Sequence, residues 1–88
     1  MIMLSVHDSA TNTYINPITV PSMRDGIAQF EMVVNDTTTN YNKFPADYTL
    51  VELGSFNQDT GQIIALDKPK IIKNAAALIK LTERELIS

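Results

Sequence analysis

Between two stretches of strand-like alternation lies one apolar helical stripe: Met23, Ile27, Phe30 and Val34, spaced four, three and four residues apart. That spacing puts the four side chains on a single face of one helix. Pro21-Ser22 sets its start, with Ser22 placed to cap and Asp25 three residues on, in a variant of the capping box. Asn35-Asp36 and the threonines after them end it, because Asn and Asp favour turns and Thr is β-branched. A helix over about residues 22–35 follows. One such helix can cover only one face of a sheet, and this limits what the remaining chain can do.

The flanking segments read as two antiparallel hairpins. Ile2, Leu4 and Val6 alternate with Met3, Ser5 and His7, the period of a half-buried strand. Asp8–Asn12 is turn-forming, and Thr13–Val20 is the return strand. Pro17 removes a ladder donor, which places that strand at an edge or gives it a bulge. Thr37–Ala46 reads as a polar loop. Tyr48–Phe56 and Gln62–Leu66 form the second hairpin around Asn57–Gly61, where Gly61 can take positive φ. Apolar residues alternate to both sides of these two strands, so both are expected to be buried on both faces.

The uncovered face of the sheet then needs a partner. Pro69, Ile71, Ile72, Ala75, Leu78 and Ile79 form a C-terminal segment with a capping Asn74 before three alanines, and as helix or extended chain it could pack there. A second subunit is the other solution. A chain of 88 residues without cysteine buries a small core and has no disulfide to staple it. Oligomerisation is a usual remedy, so a homodimer is expected. Thr82–Glu85 matches a further capping box, after a break near Lys80-Leu81. The fold class is α+β, in one domain over residues 1–88.

No catalytic constellation is visible. The glycines are scattered singly, so no phosphate loop exists. No Ser/His/Asp order with nucleophile-elbow glycines is present. The acids Asp8, Asp36, Asp47 and Asp59 fall in turns, where Asp serves local hydrogen bonding. His7, the only histidine, is placed on the outward face of an end strand and has no partners for a zinc site. No enzymatic activity, metal or cofactor is expected. Met1–Val6 lacks the basic start of a secretory signal, and no apolar run is long enough to span a bilayer.

The net charge is −3, unlike that of a typical DNA-binding domain, but the charge is uneven. Residues 1–67 carry eight acids against Arg24 and Lys43, whereas residues 68–88 carry Lys68, Lys70, Lys73, Lys80 and Arg84 against Glu83 and Glu85. The basic end can mark a polyanion site, or it can complement the acidic remainder of the same chain. Tyr14, Tyr41 and Phe44 are the aromatics available for stacking on unpaired bases, and Lys43 lies between the last two. The loop aromatics can equally fold back onto the core.

The ordered succession Val34-Asn35-Asp36, Pro45-Ala46-Asp47-Tyr48-Thr49-Leu50, Gly54-Ser55-Phe56 and Thr60-Gly61 follows Leu4–Asp8, Ala10, Pro17 and Ile27–Phe30. Over about residues 4–80 it resembles the small non-structural protein of gokushovirus-type microviruses, single-stranded DNA phages of bacteria. The resemblance implies a protein absent from the capsid that binds DNA in genome replication and acts in the host cytoplasm. It brings no transferable set of catalytic or binding residues. A single-strand interface of Tyr14, Arg24, Tyr41, Lys43, Phe44, Lys68, Lys70 and Lys73 is the resulting expectation. The rival is a protein-interaction module on a replication initiator or host replication protein, which the acidic first 67 residues suit.

Overall fold

The computed structural model describes residues 1–80. Five antiparallel strands form one sheet: β1 (Ile2–Asp8), β2 (Thr13–Tyr14), β3 (Ile18–Val20), β4 (Tyr48–Phe56) and β5 (Ile63–Asn74). Helix α1 (Met23–Val34) and a one-turn helix α2 (Asn40–Lys43) lie between β3 and β4. Single 3-10 turns, Pro45–Asp47 and Ala75–Leu78, precede β4 and follow β5. The α+β class and the two hairpins stand as expected.

β1 is an interior strand. On one side it pairs with β2 and β3, and on the other with β4, which pairs with β5. His7 therefore sits on an interior strand, not on an end strand. The expected strand 13–20 is broken at Ile15–Pro17. Pro17 falls in that gap, at the sheet edge, where its missing N–H is not needed.

Ser22 caps α1 by accepting from the Asp25 N–H at 3.2 Å. The stripe then packs as its spacing predicts. Phe30 and Val34 are buried, and Met23 and Ile27 lean on the same cluster with Leu4, Val6, Val20 and Leu50. Gly26 is buried against Leu4, where a side chain would meet the end of that leucine.

Three expectations fail. First, Thr37–Ala46 is not a plain loop. Thr39 caps α2, its hydroxyl accepting from the Asn42 N–H at 3.3 Å, and Pro45 opens the following 3-10 turn. Second, β5 does not stop at Leu66 but runs to Asn74. The register explains how it passes Pro69. Glu52 faces Lys70 and Gly54 faces Ala65, so residues 66–69 bulge opposite Leu53 alone. A proline costs no ladder bond in such a bulge. The C-terminal segment is thus strand followed by one 3-10 turn, with Asn74 capping only that turn through the Ala76 N–H at 3.0 Å. Third, β4 is partly buried, and the residues of β5 from Ile63 to Ile71 are exposed. Burial on both faces therefore holds for the middle of β4, where Leu50 and Val51 on opposite faces are both buried, and not for β5.

The segment after β5 joins the helix layer instead of covering the other face. Ala75 and Leu78 enter the core beside α1. Asn35 fastens them there: its amide donates to the carbonyls of Glu31 and Leu78, both at 2.9 Å, and its side-chain oxygen accepts from the Lys80 N–H at 2.8 Å. Asn74 makes the matching clamp on the other side, donating to the Ala46 and Tyr48 carbonyls at 3.1 Å. A surface pair, Lys80–Glu31 at 3.0 Å, adds less than about 1 kcal/mol. The Thr82–Glu85 capping box lies outside the described residues.

Candidate functional site

All helical elements pack on the face of the sheet that carries Ile2, Leu4 and Val6. The opposite face carries Met3, Ser5 and His7 of β1, because side chains alternate along a strand. Among the described residues no helix covers it, though at Ser5 it is buried, that hydroxyl donating to the Ile15 carbonyl at 2.8 Å. Antiparallel partners share a face, so Tyr14 and Thr49 flank His7, and Val51 and Ile71 continue the row from Ser5.

These residues frame a hollow of about 340 Å³ lined by His7, Tyr14, Thr49, Val51, Lys68 and Ile71, with Pro69 at its margin. Val51, 3 % exposed, is its floor. Tyr14 is 50 % exposed, and its ring centre lies 4.7 Å from that of His7, at a tilt of 44°. His7 is fixed from the other side, its Nε2 3.0 Å from Asn12 Oδ1. Asn12 reaches that position from a left-handed backbone, φ 55°, which Asn tolerates. The hollow therefore combines an aromatic platform, a cation and an apolar floor.

The sequence placed eight residues in one interface, and the structure divides them. Tyr14 and Lys68 share the hollow. Lys70 faces Glu52 and Lys73 faces Leu50, so both rise from the helix-bearing face, although both are exposed at the edge. Arg24 lies on the first turn of α1 and lines a different groove with Glu31, Met32 and Lys80. Lys43 and Phe44 end α2, Phe44 with its ring 59 % exposed, and neither lines the hollow. Tyr41 has turned inward. It meets Phe30 edge-on at 6.0 Å and Tyr48 at 4.7 Å, so it belongs to the core margin and offers no free ring. His7, Thr49 and Pro69 join the hollow without having been singled out as site residues. Their signal was present in the odd-numbered face of β1, but only the pairing register shows which residues of β4 and β5 share it.

Two titratable groups depart from ordinary behaviour. The Thr38 hydroxyl and then its backbone N–H, donating to Asp36 Oδ1 at 2.6 and 2.9 Å, hold that carboxyl below the usual carboxylate range. This Asx turn thus contributes stability above the ordinary Asp pKa and loses it as pH falls through the lowered value. Carbon-detected NMR titration is expected to place Asp36 below the ordinary Asp value, and Thr38→Val to raise it only part of the way back, because the backbone N–H of residue 38 still donates. Burial, with help first from Asp8 and then from Tyr41 and Asp47, raises the Tyr48 phenol above its ordinary value.

No group of three His, Cys, Asp or Glu side chains among the described residues is placed to hold a metal. No helix among them is long and apolar enough to cross a membrane. What fold and site define is a small α+β protein with a one-sided sheet and an open, aromatic-cationic face. Residues 1–78 match the family described as Phage ORF5 protein, and the chain belongs to that family. It is a phage protein. No curated protein and no solved structure matches the chain.

Proposed function

We propose that this phage protein is the small non-structural protein of a gokushovirus-type microvirus. In this reading it binds single-stranded DNA during genome replication in the host cytoplasm and catalyses no reaction. The observation that carries the reading is the uncovered hollow, with the half-exposed ring of Tyr14 and the Lys68 ammonium on its walls. Single-strand binders join such a ring to such a cation, because every base has a face to stack and every nucleotide a phosphate to neutralise. Here a base stacks on Tyr14, its sugar lies against Pro69 and Ile71, and Lys68 meets the phosphate. A duplex keeps its bases stacked inside and cannot use Tyr14 in this way.

The net charge of −3 does not oppose this, since phosphates respond to local potential. Lys68, Lys70 and Lys73 make no salt bridge among the described residues. The lysines on the far side of β5 add to the potential at its edge without touching the base. Fluorescence anisotropy with a labelled oligonucleotide tests the reading across a salt series. Binding to the single strand is expected to weaken steeply from low to moderate salt, as counterion release requires, with the duplex bound more weakly at each step. No binding to either at low salt rejects it. The acidic first 67 residues support a second reading, a module docked on a basic replication initiator or host replication protein. A protein partner that survives nuclease treatment, with no DNA bound, is its mark.

A further inference from the structure

The outer edge of β5 is the longest unpaired feature of the described residues, twelve residues from Ile63 to Asn74. Edge strands that remain free in water are guarded by charges, prolines or bulges that block pairing with another chain. All the guards of β5 lie beyond Ala65: the bulge over residues 66–69, Asp67, Lys68, Pro69, Lys70 and Lys73. The start of the strand, Ile63-Ile64-Ala65, has none. Ile63 and Ile64 are 59 % and 56 % exposed, and the run continues the hairpin whose loop is held by Asn57 through the Asp59 and Thr60 N–H groups at 2.9 and 3.2 Å.

We propose that this unguarded stretch pairs antiparallel with the same stretch of a second copy of the chain, about a two-fold axis at Ile64. The charge pattern selects a second copy and this register. With Ile64 facing Ile64, the neutral runs meet each other. The basic half of each strand runs out in the opposite direction, so the lysines of the two copies stay apart. Lys68 of one copy then comes alongside the loop of the other, whose one charge is the exposed Asp59. Sliding the pairing toward the bulge brings Lys68 and Lys70 of both copies together and sets the bulges against each other, which a ladder does not accommodate.

The axis of such a pair stands perpendicular to the sheet, so both uncovered faces point the same way and the helices lie together behind. If the single-strand reading above holds, the two Tyr14–Lys68 hollows then lie on one continuous surface. The pairing itself does not depend on that reading.

The chain has no cysteine, so an introduced thiol reports on the pairing cleanly. Facing residues of an antiparallel pair have Cβ atoms about 4.5–5.5 Å apart, close to what a disulfide spans. Ile64→Cys is expected to give a covalent dimer under mild oxidation, and Lys73→Cys, far from the axis, to give none. In sedimentation equilibrium without DNA the unmodified chain is expected to dimerise, and Ile64→Lys to weaken the dimer at least tenfold. Ile64 is exposed, so Ile64→Lys should fold, which far-UV circular dichroism checks. A monomer at all concentrations overturns the proposal. So does a dimer that Ile64→Lys leaves unchanged, or equal crosslinking at both thiols. None of these outcomes bears on DNA binding, which the anisotropy series reads separately.

Discussion

Gly54→Val is expected to cost about 3 kcal/mol or more in urea denaturation, the largest loss from a single added side chain in this fold. Gly54 takes φ +155° at the point where β4 bulges, and a Cβ there would overlap the Ile64 carbonyl oxygen and lie 2.9 Å from the Ala65 Cα. Both neighbours are backbone of the paired strand, so relief requires the hairpin itself to move. The residue before it, Leu53, is extra relative to β1, since Met3 faces Gly54 while Leu4 faces Glu52, and on its other side it stands alone opposite the 66–69 bulge of β5. The sheet therefore bends where Gly54 sits, and the bend aims the far hairpin. Gly61 is the comparison. It has φ +75° with open space around it, so Gly61→Ala carries only the left-handed penalty, about 1–2 kcal/mol. Equal losses at the two glycines would contradict the backbone contact as the cause.

Phe30→Ala is expected to cost about 3–5 kcal/mol. The ring is 4 % exposed and is the central contact of the stripe, between the strand residues Leu4, Val6 and Leu50 and the edge of Tyr41. Its loss removes apolar burial and also one side of the Phe30–Tyr41–Tyr48 array, so near-UV circular dichroism of the tyrosines should weaken along with the denaturation midpoint. Phe44→Ala supplies the contrast, with an expected change within about 0.5 kcal/mol for an exposed surface ring. A large loss at Phe44 and a small one at Phe30 would mean that the core is placed wrongly.

Tyr41 and Phe44 show where reading the sequence stops. They are three residues apart in one polar loop, and composition treats them alike. The one-turn helix capped by Thr39, with Thr39 and Asn42 donating to the Val33 and Val34 carbonyls at 2.8 and 3.0 Å, turns Tyr41 under α1 and leaves Phe44 outside, a difference that the two rings themselves do not carry. α1 was legible because its cap, its stripe and its stop lie within a few residues of one another. Both hairpin turns were legible for the same reason. The length of β5 was not, because Pro69 is an obstacle to a strand only where a ladder bond is due, and the bulge that removes this need is a property of the pairing with β4. The same bulge puts Lys68 on one face and Lys70 and Lys73 on the other, although all three read as one basic run.

The residues that carry the family resemblance have mainly architectural work. Asn35 clamps the C-terminal segment, Asp36 closes an Asx turn, Tyr48 enters the core margin, Gly54 makes the bend and Gly61 the hairpin turn. A signature of that kind identifies the scaffold. The face that the scaffold leaves open is set by other residues, Tyr14 and Lys68 first among them.

Tyr14→Ala compared with the unmodified protein, on a labelled single strand at low salt, tests the central claim most directly. The ring is half-exposed and outside the core, so the variant should fold, and the loss of one stack is worth about 1–3 kcal/mol. The account predicts that anisotropy reads this loss on the single strand and little change on a duplex. Unchanged single-strand affinity would contradict it, and would mean that the open face of the sheet is not where DNA binds.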